Sequence, residues 1–118
     1  MPISADLLRG YTDAIILGQL SQGDSYGYHI ARTVSQLTGG ALELKEATLY
    51  TAFKRLENGG CIRSYWGDEQ SGARRRYYAI TPEGRAKLDK DREIWRETRT
   101  VLDGLMDESG EETGHPIG

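Results

Sequence analysis

The sequence has little of what disulfide cross-linking, metal binding or membrane insertion requires. It has one cysteine, Cys61, and two histidines, His29 and His115, among 118 residues. A lone cysteine excludes an internal disulfide and fits a reducing compartment, where a small buried apolar role is its ordinary one. These three residues do not have the spacing of metal ligands. The longest apolar run is residues 14–17, whereas a membrane-spanning helix needs about 20 residues.

Motifs of enzymes and exported proteins are also missing. We find no Ser-His-Asp set and no glycine-rich loop of the phosphate-binding kind. The glycine pairs at 39–40 and 59–60 are better interpreted as helix ends. The N-terminus has no basic-then-apolar export signal. The expectation is a cytoplasmic protein that is not an enzyme, needs no cofactor and has no membrane partner.

The charge is distributed unevenly along the chain, whose net charge is −3. Residues 1–44 carry −2, residues 45–90 carry +4 and residues 91–118 carry −5. Binding to nucleic-acid phosphates depends on local positive charge rather than on a basic whole protein. The middle of the chain is therefore the candidate surface for a polyanion, although charged runs are often only solvated surface.

Two helices are predicted in the first forty residues. Apolar spacings of three and four favour a helix over residues 4–21. Gly10, Ala14 and Gly18 would line one face of it, where another backbone or a flat ligand could approach, unless the glycines are merely tolerated. A second helix is expected over 26–38, with Ser25 as its N-cap.

Residues 46–81 give the order helix, strand, basic hairpin, strand. The helix over 46–58 should bury Leu49, Ala52, Phe53 and Leu56, and the strands are expected at 61–66 and 74–80 around a polar loop at 67–73. This order is typical of a winged helix-turn-helix, a mainly α fold with a β-hairpin wing. The predicted partner is double-stranded DNA. The predicted DNA contacts are Tyr26, Thr48, Tyr50, Thr51, Lys54, Arg74 and Arg75, whereas the strand parity of Arg76 turns it toward the core.

The last predicted helix begins at Thr81-Pro82-Glu83 and runs to about residue 106. Leu88, Trp95 and Leu102 recur every seven residues along it, with Leu105 on the alternate track, which indicates helix pairing. We therefore predict a homodimer held by these four residues. The predicted domains are a DNA-binding domain over 1–81, a dimerisation helix over 82–106 and a disordered acidic tail over 107–118.

Taken in order, these segments resemble the PadR family of bacterial transcriptional regulators over about residues 5–106. The segments that carry the resemblance are DLLRG (6–10), YGYHI (26–30), ATLYTAFKRLE (47–57), SYWGD (64–68), RRRYYAIT (74–81), EGR (83–85) and Trp95. The single C-terminal helix is similar to the short subgroup, and within it to multidrug-sensing repressors that bind flat aromatic compounds.

The resemblance implies that the last helix pairs with the first helix of the other subunit. It also implies that Trp95 stacks on a planar aromatic ligand in a pore between the two subunits. It implies that Leu7, Gly10, Ala14, Leu17 and Gly18 line that pore together with Trp95. We further predict that Leu88, Arg92 and Arg99 bind the ligand.

The sequence departs from the multidrug-sensing pattern at one point. Arg92, Arg96 and Arg99 lie around Trp95, where an apolar pocket would favour apolar or neutral residues. Two interpretations stay open. The arginines pair with Asp91, Glu93, Asp103 or the partner's Asp13, or one of them holds an anionic aromatic ligand.

The expected function is a ligand-responsive repressor that binds a palindromic operator as a homodimer. Two alternatives remain at this stage. The winged helix could serve only protein–protein contact, or the protein could bind DNA constitutively without any ligand. Lys54 and the basic hairpin argue against the first alternative.

Overall fold

The computed structural model describes residues 8–68 and 74–107. Within them the chain forms helices, one antiparallel hairpin and then a long helix, which is the predicted mainly α architecture with a wing. In chain order the elements are α1 (Thr12–Leu20), α2 (Gly27–Leu37), α3 (Glu46–Asn58), β1 (Ile62–Asp68), β2 (Arg74–Ile80) and α4 (Pro82–Met106).

Glycine pairs end two of the helices, as the sequence predicted. Gly60 follows α3 with a φ of 77°, a left-handed conformation that glycine adopts without strain. The amide of Cys61 then donates to the carbonyl of Leu56 at 2.8 Å and satisfies an orphan acceptor of the last turn. Gly39 and Gly40 end α2 in the same way, with φ values of 61° and 83°.

The first predicted helix, over residues 4–21, is interrupted within its described part. Leu8 is still helical, the chain makes a turn at residues 9–11, and α1 starts at Thr12. The Thr12 hydroxyl donates to the carbonyl of Leu8 at 3.2 Å, and the Tyr11 amide donates to the same carbonyl at 2.8 Å. Local side-chain bonds of this kind and a glycine's poor helix propensity favour a turn over a continuous helix. Gly10 therefore lies outside the helix that carries Ala14 and Gly18.

Ser25 does not cap α2, and this prediction was wrong. Its amide donates to the carbonyl of Tyr78 at 3.1 Å, and the Tyr78 amide donates back to the Ser25 carbonyl at 2.8 Å. Tyr26 is the residue at the N-cap position of α2. The extended backbone that suits an N-cap also suits strand pairing, so the sequence pattern fitted both.

The two strands form an antiparallel ladder from Ile62↔Ile80 to Asp68↔Arg74. The first strand is shifted toward the tip relative to the predicted 61–66, and the central residues 69–73 of the predicted loop lie outside the described residues. At the base of the hairpin Tyr78 stacks on Phe53 of α3, with ring centroids 4.0 Å apart. The wing is therefore fixed to the core through its second strand.

The core joins α1, α2, α3 and the hairpin. The predicted buried face of α3 is confirmed, since its four residues are at most 4% exposed. Leu17 is fully buried and Leu88 is 3% exposed, both inside this core. Neither exposes a surface in the single chain, and their assignments as pore residues, and that of Leu88 to the dimer contact, stay predictions. Apolar spacing alone did not distinguish the protomer's own core from a second interface.

The start of α4 confirms the predicted cap. The Thr81 hydroxyl accepts from the Gly84 amide at 3.1 Å and donates to the carbonyl of Gly60 at 2.6 Å. Gly84 lies so close to the carbonyl of Cys61 that a side chain there would collide with backbone. The end of α3, the end of β2 and the start of α4 are thus fixed to one another.

The chain divides into two compact units, one up to Leu88 and one from Asp89 onward. The second unit, described to residue 107, is the greater part of α4. Its large apolar side chains are between 40% and 77% exposed: Ile94, Trp95, Val101, Leu102, Leu105 and Met106. Among the residues that the structure describes, no helix is long and apolar enough to cross a membrane. Leu7 and residues 108–118 of the predicted tail lie outside the described residues.

Candidate nucleic-acid interface

The outer face of α3 is exposed and polar, as the helical period predicted. Thr48, Tyr50, Thr51 and Lys54 are all exposed, and the buried face behind them holds the helix rigidly on the core. The Tyr50 ring is 57% exposed and meets the Phe53 ring edge to face at 6.5 Å. The first turns of the helix therefore offer small and hydroxyl-bearing side chains, followed by one cation.

An ion pair joins α3 to α1. Arg55 donates through Nη2 to Asp13 Oδ1 at 2.5 Å and through Nε to Oδ2 at 3.4 Å. The hydrogen bond to Asp13 is the main reason that the pKa of Arg55 lies above its ordinary value. This two-pronged geometry is the strong form of an arginine–carboxylate contact. It fixes one end of α3 relative to α1.

An open groove of about 650 Å³ lies beside the exposed face of α3. It is bounded by the turn before α1, the extended segment 41–45 and α3 itself. Its lining residues are Leu8, Arg9, Thr12, Ala41, Glu43, Leu44, Lys45, Ala47, Thr48, Thr51 and Arg55. Its walls carry one carboxylate, Glu43, and three cations, of which Arg55 is paired with Asp13. The other two, Arg9 and Lys45, were not among the predicted DNA contacts.

One face of the hairpin carries Arg74, Arg76 and Trp66. The guanidinium carbons of Arg74 and Arg76 lie 5.2 and 5.4 Å from the centroid of the same Trp66 ring. The Trp66 side chain is 53% exposed. Both distances are within the range of a cation–π contact.

The opposite face of the hairpin carries a row of tyrosines. Arg75 lies 4.3 Å above the Tyr26 ring, which meets Tyr77 edge to face at 5.3 Å. Tyr77 in turn stacks on Tyr65 at 5.7 Å. The Tyr65 hydroxyl donates to Asp24 at 2.6 Å, and this bond is the first cause of the raised pKa of Tyr65.

Gly67 makes the tyrosine row possible. A side chain at this position would overlap the Tyr77 ring, which lies directly over the glycine. The row brings Tyr26 and Arg75 together, two predicted DNA contacts that are 49 positions apart in sequence. Arg74 and Arg75 point to opposite faces of the wing.

Arg76 lies two residues from the tip end of β2, on the same strand face as Tyr78, as its parity predicted. It donates to the Ser64 hydroxyl at 2.7 Å, and that hydroxyl donates to Glu57 of α3 at 2.7 Å. A second contact, Arg76 Nη2 to the Glu57 carboxylate, is 4.0 Å long. Arg76 is nevertheless exposed at the surface. Burial raises the pKa of the neighbouring Tyr78, while Arg76 acts in the opposite direction.

A model of the transcriptional regulator PadR-like family matches residues 16–90, well over half of the chain. The chain belongs to this family. It is therefore a transcriptional regulator of a class that binds DNA and is not an enzyme.

Several relatives cover most of the chain. A solved transcriptional regulator from Clostridium thermocellum is 45% identical, covers 87% of this chain and 100% of its own, and superposes with a TM-score of 0.81. A PadR family transcription regulator from Clostridium difficile is 40% identical over 82% of this chain and 99% of its own, with a TM-score of 0.71. An uncharacterized protein from Lysinibacillus sphaericus is 39% identical over 89% of this chain and 96% of its own length.

Around Trp95 the PadR-like chain has few ion pairs among its described residues. Arg99 Nε lies 3.8 Å from Asp103 Oδ2, in a pair that is 67% exposed on both sides. Over residues 8–68 and 74–107, neither Arg92 nor Arg96 has a carboxylate within ion-pair distance. Asp13, one of the acids considered as a partner for them, is engaged by Arg55 of its own chain.

The contacts of Arg55, Trp66 and the groove cations of this PadR-like protein could not be predicted from the sequence. Arg55 pairs with a residue 42 positions away, and only tertiary packing brings the two together. The sequence gives little indication that Trp66 contacts two arginines, because the contact follows from the strand register, which the sequence does not show. The alternation of charged and aromatic residues in 63–66 and 74–78 is the pattern that indicates such stacking.

Proposed function

We propose that this PadR-like regulator acts as a cytoplasmic homodimeric repressor that planar aromatic compounds release from its operator. Each protomer would place α3 in a major groove and its wing on the neighbouring backbone or minor groove. Two-fold symmetry then requires a roughly palindromic operator, with half-sites about one helical turn apart. The exposed polar face of α3, together with the arginines of the hairpin, is the observation that carries this proposal.

The second unit supports the dimer. Trp95, Leu102 and Leu105 are 44%, 40% and 77% exposed in the single chain. Apolar side chains clustered in this way usually cover an interaction site. A partner helix would bury them, and the family's usual dimerisation supplies one.

The proposed ligand site lies in a pore between two subunits, where Trp95 of one subunit would stand next to small residues in and before the first helix of the other. Ala14 and Gly18 are partly exposed, and an added side chain at Gly10 or Gly18 would meet no described atom within 4 Å. Space of this kind suits a flat ring, and stacking contributes about 0.5–1.5 kcal/mol per aromatic pair beyond burial. Arg92 and Arg99 are the candidates to contact an anionic group, because the pair between Arg99 and Asp103 is weak and exposed.

The DNA part is tested by Lys54→Ala and Arg75→Ala. If these residues bind phosphate, each variant weakens duplex binding, and the salt slope falls by about one unit for each phosphate that is no longer neutralised. Lys90→Ala is the matched control, since it removes an exposed lysine from α4. Unchanged affinity and salt slope in both test variants would contradict this surface and favour a protein–protein module.

The ligand part is tested by fluorescence with two single-tryptophan proteins. A planar dye should quench Trp95 in Trp66→Phe and leave the emission of Trp66 unchanged in Trp95→Phe. Trp95→Ala should lose most of the dye affinity while it keeps the helical circular dichroism of the wild type. Quenching that survives in Trp95→Ala would contradict the site.

The switch is tested by measuring DNA affinity with saturating dye. A ligand that binds the DNA-free arrangement about 10- to 100-fold better supplies roughly 1.4–2.7 kcal/mol of coupling. Matched anionic and cationic dyes on wild type and Arg99→Ala decide whether an arginine faces the ligand. DNA affinity that ignores a bound dye would instead favour the constitutive binder.

A further inference from the structure

A chain of contacts leads from α3 to the outer part of the wing. Glu57 of α3 accepts from Ser64, Ser64 accepts from Arg76, and Arg76 lies against Trp66. Arg74 then lies against the same ring, one step nearer the tip. The register places Trp66 directly opposite Arg76, with Arg74 as its diagonal neighbour. Ser64, Trp66, Arg74 and Arg76 therefore lie on one face of the hairpin.

The indole ring of Trp66 lies between Arg74 and the contacts of Arg76, because both guanidinium groups lie over it. Arg76 contacts two oxygens, those of Ser64 and Glu57, and Arg74 lies at the end of β2, next to the loop. An arginine side chain has many rotamers, and fixing it in one of them on binding costs conformational entropy. A ring already in contact removes part of that cost before DNA binds.

The stacking geometry leaves the arginine able to act on DNA. A guanidinium lying over a ring uses its flat face, and its five N–H donors point outward in the plane. Those edge donors are the groups that bind phosphate oxygens or base edges. The Trp66 ring is itself 53% exposed, so its removal does not open a cavity in the core.

We propose that Trp66 is a positioning residue for DNA binding, which holds Arg74 at a fixed distance from α3. This inference rests on the proposed DNA-binding surface and adds a residue that touches no DNA phosphate itself. The row Tyr65–Tyr77–Tyr26 has the corresponding place beneath Arg75 on the other face of the wing.

The test is a double-mutant cycle on duplex binding with Trp66→Leu, Arg74→Gln and the double variant. Trp66→Leu should weaken binding about 2- to 5-fold for each wing on the DNA, the size of an exposed cation–π contact. In the Arg74→Gln background the same change should have little further effect. Trp66→Phe, which keeps an aromatic face, should restore most of the affinity.

A purely structural role for Trp66 gives a different pattern. Trp66→Leu would then lower the melting temperature and weaken DNA binding equally in the wild-type and Arg74→Gln backgrounds, and this result overturns the inference. Wild-type affinity in Trp66→Leu, with Lys54→Ala still impaired, overturns it while leaving the DNA surface intact. If Lys54→Ala, Arg75→Ala and Trp66→Leu all bind as wild type does, the proposed surface itself fails.

A second measurement needs no DNA. In Trp95→Phe the only indole is Trp66, and Arg74→Gln should shift its emission maximum if the guanidinium covers the ring. Arg63→Gln is the control, because Arg63 lies 5.6 Å from the Tyr65 ring on the opposite face. Identical emission in all three proteins would show that Arg74 does not rest on Trp66.

Discussion

The two compact units of this protein treat their large apolar side chains in opposite ways. In the first unit Leu49, Phe53 and Leu56 are at most 4% exposed, and most of its exposed large apolar side chains are aromatic. In the second unit Leu102 and Leu105 are 40% and 77% exposed on one helix. The first unit thus buries most of its large aliphatic side chains within its own core, whereas the second leaves such side chains exposed in the single chain.

The largest effect is expected on the unfolding free energy, from a change in the core of the first unit. Phe53→Ala removes a ring that is 2% exposed and stacked on Tyr78. The variant should lose about 3–5 kcal/mol of unfolding free energy, because a cavity remains where the ring was. Urea unfolding followed by circular dichroism measures it. Tyr28→Ala, at a site 67% exposed, is the control and should cost far less. Equal losses at both sites would contradict the contrast between core and surface.

The next largest effect is expected on dimer stability, from a change in the second unit. Leu102→Asp places a charge on the exposed apolar side of the second unit. If a second copy covers this helix, the dimer should weaken by about 2 kcal/mol or more, roughly 30-fold in its dissociation constant. Sedimentation at several concentrations measures it, with Lys90→Gln as the control. A wild-type protein that is monomeric at micromolar concentration would remove the argument for a dimer.

A smaller effect concerns Tyr78, whose pKa is raised mainly by burial. With a folded pKa above the unfolded value of about 10, the native state keeps its proton longer, so this stability is complete below about pH 10 and is lost as the pH rises further. The slope from one such group is at most about 1.4 kcal/mol per pH unit. Alkaline unfolding of Tyr78→Phe should lack this contribution, while Tyr28→Phe should keep it. Identical alkaline slopes in wild type and Tyr78→Phe would argue against the assignment.

The smallest effect is expected at the ion pair between α1 and α3. Arg55 is 53% exposed at its side chain, so solvent screens the attraction to Asp13. A double-mutant cycle with Asp13→Asn and Arg55→Gln should give a coupling of about 0.2–1 kcal/mol in unfolding free energy, and less at high salt. A coupling that does not respond to salt would show that the pair acts through packing instead.

Local patterns predicted the helices and the wing well because their causes are local. The spacing of Leu49 and Phe53 fixed the buried side of α3, and Thr81 followed by a proline marked the start of α4. The failures have a common physical cause. Ser25 satisfies the rules for a helix cap and for a strand bridge, and only the presence of Tyr78 beside it decides between them.

The predicted ligand pore depends on a distinction of the same kind. Leu17 and Leu88 have the spacing of an interface residue, but a core residue has the same spacing. Whether an apolar side chain meets its own chain or another one is a property of three-dimensional packing. The stacks of Arg74 and Arg75 on aromatic rings depend on strand register in the same way and could not be derived from the sequence alone.

The bridge between Ser25 and Tyr78 should make the base of the wing open more rarely than its tip. It gives β2 a hydrogen-bonded neighbour on each side at its base, while β1 is an edge strand there. The amide of Tyr78 should exchange with deuterium only when the whole first unit unfolds, whereas amides near Gly67 should exchange through local fraying. The wing would then behave as a lever with a rigid root, whose outer end can adjust to the shape of a groove without disturbing the core that carries it.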